Sequence, residues 1–288
     1  MRLVRKLDAW QQRNPVLGPG IASFRKLADD DGNALAVALA WYGFVAISPL
    51  LLLVITIFGF VGADSLGDKV VSTMQQFPVI GTGFTSGEGA SNIHGSGLGL
   101  VIGAVGLLYG AMGVTRSGQR MMARVWDVPI ERRGGFALRL ERGLAALVVI
   151  GSAFMVTAIA SGFATSRGRV LAVRIGLFVP LIAVNVGLYL VSFLVLTPPH
   201  TTNSRALLPG SVLAGAGFTL LTTLGTGLVQ HQLRNASDTY GAFASVIGIV
   251  TYLLLLATLT VYAAELNVVL HRRLWPRSLL KARPAAEG

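Results

Sequence analysis

The side chains that could perform acid–base or metal chemistry are few and scattered. The four histidines fall in four different connections: His94, His200, His231 and His271. Hydrolysis of RNA needs an acid–base pair or clustered metal ligands, and the sequence contains no HxH, HxxxH or HxxE pattern. It also contains no GxSxG elbow, no GxxxxGK[ST] loop and no cysteine. We therefore expect a protein that is not an enzyme, holds no metal or cofactor, and leaves RNA intact.

One carboxylate lies inside a long apolar stretch. Glu265 is the acid within 241–270, and because a charge in hydrocarbon is costly, such a residue is a candidate for function. The alternative is that Glu265 pairs with Arg272 or Arg273, about two turns further on, near the cytoplasmic interface. The sequence leaves both interpretations open.

Four further polar side chains are candidates for a substrate path through the protein. They lie on the same apolar stretch or in the middle of an earlier one: Thr258, Tyr262, Asn267 and Asn185. For Asn185 a structural hydrogen bond between helices is the favoured alternative, because polar side chains in membrane helices commonly pair across helices.

The elements that must position these residues are apolar helices. Of 288 residues, 53% are hydrophobic and 13% are charged, whereas soluble domains carry about 25% charged residues. The stretch at 32–63 contains no charged residue. It is longer than the about 20 apolar residues that suffice to cross a bilayer. The composition predicts an all-α, polytopic membrane protein.

The hydropathy pattern predicts six transmembrane helices in one domain at 32–271. The predicted spans are 32–63, 97–114, 143–165, 175–196, 208–230 and 241–270. An amphipathic segment at 1–31 is predicted to form interfacial helices on the membrane, with Pro15 and Pro19 ending the first piece. A basic tail follows at 272–288. The acidic run at 29–31 is interpreted as a helix cap, with a metal site as the less favoured alternative.

The distribution of basic residues predicts both termini in the cytoplasm. With that orientation, 19 of the 24 Lys and Arg lie on the cytoplasmic side, as the positive-inside rule requires. The third loop disagrees, because it places three arginines on the outer face: Arg167, Arg169 and Arg174. These either fold back toward the protein or meet anionic lipid or ligand.

The second predicted span contains a stripe of small residues, and arginines follow directly after it. Five glycines form one helical stripe: Gly99, Gly103, Gly106, Gly110 and Gly113. Because glycine costs about 1 kcal/mol in a helix interior, the stripe predicts close helix packing, with a smooth pore wall as the alternative. Beyond it the helix is predicted to continue, and three arginines there are candidates for lipid headgroup contact: Arg116, Arg120 and Arg124.

Several stretches resemble the YihY/BrkB family of bacterial inner-membrane proteins, once labelled ribonuclease BN. The similar segments are DGNALAVALAWYGFVAISPLLLLV, GLLYGAMGVTRSGQRMMARVWDVP, ALLPGSVLAGAG and TYGAFASVIGIVTYLLLL followed by AAELN. The resemblance implies six transmembrane helices and a role in the cell envelope, where members are tied to envelope integrity.

Two functions are consistent with these observations. The first is transport or flipping of a lipid or another amphiphile, with Glu265 and basic residues handling the headgroup. The alternative is a non-catalytic scaffold that supports envelope integrity. The expected partners are membrane lipids, with a homo-oligomer or an envelope protein left open and no nucleic acid.

Overall fold

Long helices make up the computed structural model of this chain. It describes residues 17–61, 97–133, 135, 137–146, 148, 149, 171–240 and 242–275. Side chains are described in those ranges except at 17, 48–61, 97–100, 102, 103, 171–178 and 223–246. The helices are α1 (Leu17–Asp29), α2 (Gly32–Val61), α3 (Gly97–Val125), α4 (Leu171–Leu196), α5 (Ser204–Tyr240) and α6 (Ala242–His271). All secondary structure in the described part is helical, which confirms the all-α prediction.

The first helix begins earlier than predicted and packs against the rest of the protein. Pro19 lies in the first turn of α1. Proline is tolerated there because the backbone N–H that it lacks has no hydrogen-bond partner within the helix. Ala22 and Lys26 are buried, whereas Phe24 on the opposite face is 64% exposed. The inward face of α1 contacts α6. The other predicted interfacial piece, in 1–16, lies outside the described residues.

Helix α6 is the centre of the arrangement. It packs against α1, α2 and α5, while α3 packs on α2 and α4 packs on α5. Ala263 and Ala264 are fully buried, Gly210 of α5 approaches the Ala263 carbonyl, and a Cβ added at Gly217 would lie 2.7 Å from Leu259. Small residues on facing helices therefore let the α5 and α6 backbones come close together.

Two glycines of the α3 stripe pack against α2. A Cβ added at Gly110 would lie 2.7 Å from the Ala46 Cα, and Gly113 faces the ring of Tyr42. Gly106 is half-buried. These contacts with α2 confirm close packing at Gly110 and Gly113, where the pore-wall alternative is wrong. The two remaining glycines of the stripe lie outside the described packing: Gly99 and Gly103.

Three described stretches are long and apolar enough to cross a membrane. They are Val179–Leu196, Ser204–Thr222 and Ile247–His271, and Gly32–Ile47 is a shorter apolar piece. Helix α3 runs to Val125, which confirms that it continues past 114. The predicted span at 143–165 lies mostly outside the described residues, so the count of six stays a prediction.

Several helix ends meet at one end of the bundle. Arg142, in the helical segment 137–146, donates to the Thr197 carbonyl just after α4. At the end of α3, Asp127 has a φ of 51° and the Val128 N–H donates to the Ala123 carbonyl at 2.8 Å, an arrangement that satisfies exposed helix carbonyls. The polar residues of interest are concentrated around this end.

Candidate functional site

A buried cluster of three charged side chains joins α1 to α6. Lys26 Nζ lies 3.1 Å from Glu265 Oε2 and also contacts the carboxylate of Asp30, one turn along the chain. The side chain of Glu265 is 0% exposed, and those of Lys26 and Asp30 are 5% and 11% exposed. Lys26 donates a further hydrogen bond of 2.9 Å to the Val125 carbonyl, in the last turn of α3, where intrahelical donors are missing. One ammonium group therefore connects three helices.

This cluster contains two acidic side chains and one basic side chain. Within the described residues, one cation faces two carboxylates, and neither oxygen of Glu265 accepts a hydrogen bond of good geometry. A buried ion pair is stable only if attraction and added hydrogen bonds offset the cost of desolvation. The cluster therefore depends on the charge of Lys26.

The alternative that Glu265 pairs with Arg272 or Arg273 is wrong. Arg272 Nη1 lies 2.8 Å from Asp127 Oδ2, and its Nη2 donates to the Trp126 carbonyl at 2.7 Å. Arg273 is exposed and has a φ of 53°. Both arginines come after the last residue of α6 and are exposed. The helix that packs directly on Glu265 is α1, which supplies Lys26.

Tyr262 and Asn267 contact different neighbouring helices. The Tyr262 hydroxyl donates to the Gly20 carbonyl of α1 at 2.8 Å. The Asn267 side chain is buried, and its Oδ1 accepts from the Gly210 N–H of α5 at 2.6 Å. Both residues therefore fasten α6 to a partner helix.

Thr258 and Asn185 lie further along the bundle. The Thr258 hydroxyl donates to the Leu254 carbonyl of its own helix at 2.7 Å. Asn185 is buried, and its Nδ2 donates to Thr219 Oγ1 of α5 at 3.0 Å, which confirms the predicted hydrogen bond between helices. The structure does not bring the five predicted path residues together around one site.

An apolar cavity of about 290 Å³ lies between α2, α3, α4, α5 and α6. It follows α4 from Asn185 to Leu196, a distance of about 16 Å at 1.5 Å per residue. Tyr189 and Thr260 also line it, with their hydroxyl oxygens 3.4 Å apart. The remaining wall is largely aliphatic and aromatic, and includes Leu39, Val114, Leu188, Phe193, Phe218, Leu253 and Leu256. Its size is near the lower end for ligand pockets, on the order of 300 Å³.

A second cavity, of about 220 Å³, lies at the end of the bundle where the helix ends meet. It is enclosed by α3, the segment 137–146 and the chain just after α4. Five arginines line it: Arg116, Arg120, Arg133, Arg139 and Arg142. Leu196 lines this cavity and the apolar one. An arginine-lined space and an apolar space therefore adjoin at one side chain.

The predicted headgroup residues have different positions. Arg116 and Arg120 line the arginine cavity, whereas Arg124 is exposed and is not part of the described lining. The remaining three lie outside the described side chains: Arg167, Arg169 and Arg174.

Sequence reasoning missed several residues of these sites. The i, i+4 spacing of Lys26 and Asp30 is typical of an ion pair on a helix and was a usable signal. Three arginines of the cavity belong to an arginine-rich segment but were not singled out as candidates: Arg133, Arg139 and Arg142. Nothing in their spacing indicates a shared cavity, because α3 and α4 have to enclose it.

Comparisons with known proteins agree on one family. The family described as virulence factor BrkB matches residues 23–287. Inner membrane protein YhjD of Escherichia coli K12 is 24% identical over 279 residues, covering 88% of this chain and 81% of that protein. "Putative ribonuclease-like protein YfkH" of Bacillus subtilis 168 is 22% identical over 263 residues, covering 87% of this chain and 94% of that protein. No solved structure matches significantly.

Proposed function

This chain belongs to the BrkB family of membrane proteins, and we propose that it transports or flips a lipid or another amphiphile in the cytoplasmic membrane. The observation that carries this proposal is the meeting of two unlike cavities at Leu196. The apolar cavity suits a hydrocarbon chain, because apolar surface is stabilised away from water. The arginine cavity suits a charged headgroup. A molecule that occupies both has to be amphiphilic.

Leu196 forms the boundary between the two spaces. Its side chain is 8% exposed and packs on Gly118 of α3, where an added Cβ would lie 3.0 Å from Leu196 Cδ1. We propose that a change of side-chain rotamer here connects the cavities. At the far end, Asn185, Tyr189 and Thr260 provide polar groups. A headgroup inside the membrane needs such partners, because unsatisfied polar groups are costly in hydrocarbon.

The arginine cavity is proposed to lie on the cytoplasmic side, with both termini on that side. The excess of Lys and Arg in the segments that meet there supports this orientation. The contacts between Arg142 and Thr197 and between Arg272 and Asp127 support a common end for those segments.

Flux of a fluorescent phospholipid in proteoliposomes tests the proposal. Wild-type protein should accelerate lipid movement, and Leu196→Trp should slow it about tenfold, which corresponds to about 1.4 kcal/mol on the barrier. Leu196→Ala, which widens the boundary, should raise the rate. Val191→Trp is the matched control, because Val191 is on the same helix and 42% exposed. Absence of flux for every lipid class, or equal flux for Leu196→Trp and wild type, would overturn the proposal.

A non-catalytic scaffold is the second candidate, and one observation favours it. Glu265 is fully buried, pairs with Lys26 and is not among the described residues that line either cavity. A closed cluster of this kind suits a rigid protein that acts through partners. Stable co-purification of an envelope protein, together with the absence of lipid flux, would support the scaffold.

A further inference from the structure

Five arginines surround the second cavity without a carboxylate in its described lining. They are Arg116, Arg120, Arg133, Arg139 and Arg142. Lys26 and Arg272, by contrast, each lie within salt-bridge distance of a carboxylate. Glu131 and Glu141 are close in sequence, but both are exposed and neither belongs to that lining. Arg133 and Arg142 are half-buried and the other three are exposed. Five guanidinium groups without a carboxylate in the lining favour an anion there.

Backbone and hydroxyl groups hold three of these arginines in place. Arg133 Nε donates to the Val128 carbonyl at 3.0 Å, Arg142 donates to the Thr197 carbonyl, and Arg120 Nη2 donates to Ser117 Oγ at 3.2 Å. Each bond uses part of the guanidinium, which has five N–H donors. The remaining donors stay available to a ligand, so the cavity is organised before an anion enters.

Arg116 and Arg139 differ from the other three. Their side chains line the cavity and form no hydrogen bond or ion pair with the part of the chain that the structure describes. The backbone next to them is nonetheless fixed, because Gln119 Nε2 donates to the Arg139 carbonyl at 3.0 Å. Both guanidinium groups are therefore well placed for an anion.

We propose that this cavity binds the phosphate group of an anionic phospholipid. Guanidinium groups form paired, charge-assisted hydrogen bonds with phosphate oxygens, and about 220 Å³ suits a small headgroup. The lipid, rather than free phosphate, is the source because Leu196 also lines the apolar cavity, where an acyl chain fits. This choice of source rests on the proposed function, whereas the preference for an anion does not.

Lipid binding by the purified full-length protein tests the assignment. Thermal stabilisation is measured on titration with phosphatidylglycerol, with phosphatidylcholine of the same chains, and with glycerol phosphate. The anionic lipid should bind tightest. The double variant Arg116→Gln, Arg139→Gln should bind it about ten- to a hundredfold more weakly, because two guanidinium groups that can donate charge-assisted hydrogen bonds to the phosphate are lost. The matched control Arg132→Gln, Arg205→Gln removes the same charge from two exposed positions outside the described lining and should bind like wild type.

Two results would overturn the assignment. Equal loss of binding in the double variant and the control would mean that the lipid senses only overall charge. Glycerol phosphate binding as tightly as the lipid would assign the cavity to a free phosphate compound. Failure of the transport proposal is distinct, because selective binding of the anionic lipid without flux would leave this site in place.

Discussion

At the scale of single residues, Lys26 is the most consequential side chain. A lysine in an amphipathic segment beside a membrane is expected to contact anionic headgroups. Here it is turned inward, where it contacts Glu265, Asp30 and the Val125 carbonyl. Its apolar stem and its charge are both buried in protein, so its role is to fasten α1 to α6 and α3.

Removal of Lys26 should destabilise the protein far more than removal of the charge on Glu265. Lys26→Met leaves two buried carboxylates without their cation, and breaking such a pair costs about 3–5 kcal/mol. Glu265→Gln leaves Lys26 balanced by Asp30 and keeps an oxygen facing the ammonium, so its cost should stay within about 1 kcal/mol. Unfolding of the detergent-purified variants by differential scanning fluorimetry measures both.

A triple variant tests whether unpaired buried charge causes the loss of stability in Lys26→Met. Adding Asp30→Asn and Glu265→Gln to Lys26→Met should recover part of the lost stability, because no charge is then left unpaired. If Lys26→Met were as stable as wild type, the cluster would not be what holds α1.

If Glu265→Gln had normal lipid flux, Glu265 would be excluded from the substrate path.

At the scale of elements, glycine lets helices meet backbone to backbone. Gly110 of α3 approaches the Ala46 backbone of α2, and Gly215 of α5 approaches the backbone of Val186 in α4, where an added Cβ would lie 2.5 Å from the amide nitrogen. In lipid there is little hydrophobic force to bring helices together, so close van der Waals packing has to hold them in contact. These glycines therefore determine which helices are neighbours.

Substitution at the glycine interface should separate two classes of position. Gly110→Ala places a methyl group against the Ala46 backbone, and such overpacking costs about 1–3 kcal/mol. Gly187→Ala, on α4, meets no atom within 4 Å and should be neutral or stabilising by up to about 1 kcal/mol, the helix cost of glycine. Thermal unfolding in the same detergent compares them. Equal effects of the two substitutions on thermal unfolding would show that the contact with the Ala46 backbone does not restrict the side chain at position 110.

At the scale of the whole molecule, the charged clusters that the structure describes gather at one end of the bundle. The arginine cavity, the Lys26 cluster and the Arg272–Asp127 pair all lie near the ends of α3, α4 and α6. Because anionic lipid and the positive-inside rule both act at the cytoplasmic surface, this end should face the cytoplasm.

Single cysteines can test that orientation, since the chain has none of its own. Cysteine at Glu131 or at Arg273, both exposed, should react with an impermeant maleimide only after the cell is opened. Cysteine at Ser86, in the predicted outer loop, should react in intact cells. Labelling of Glu131→Cys and Arg273→Cys from opposite faces would contradict a shared end.

Much of the helical architecture followed from the sequence because its cause is local. An uncharged run such as 32–63 has to satisfy its backbone hydrogen bonds internally in lipid, and only a helix does so within one segment. The α3 stripe was predictable for a similar reason, because a period of three and four residues places glycines on one face. Asn185 was correctly assigned to a hydrogen bond between helices, although its partner Thr219 was not named.

The tertiary structure alone decided which charges meet. Glu265 is 239 positions from Lys26 along the chain, farther than any spacing rule reaches, and the nearby arginines that seemed natural partners lie past the end of α6. The five arginines of the cavity likewise converge because the segment 137–146 packs back on α3, where a Cβ added at Gly143 would lie 3.4 Å from Thr115 Oγ1 and Gln119 donates to the Arg139 carbonyl. The chain by itself thus determined that helices form and that they belong in a membrane, since each apolar segment meets that requirement alone. The pairing of buried charges and the joining of two cavities required packing, because desolvation and Coulomb attraction depend on distances between distant segments.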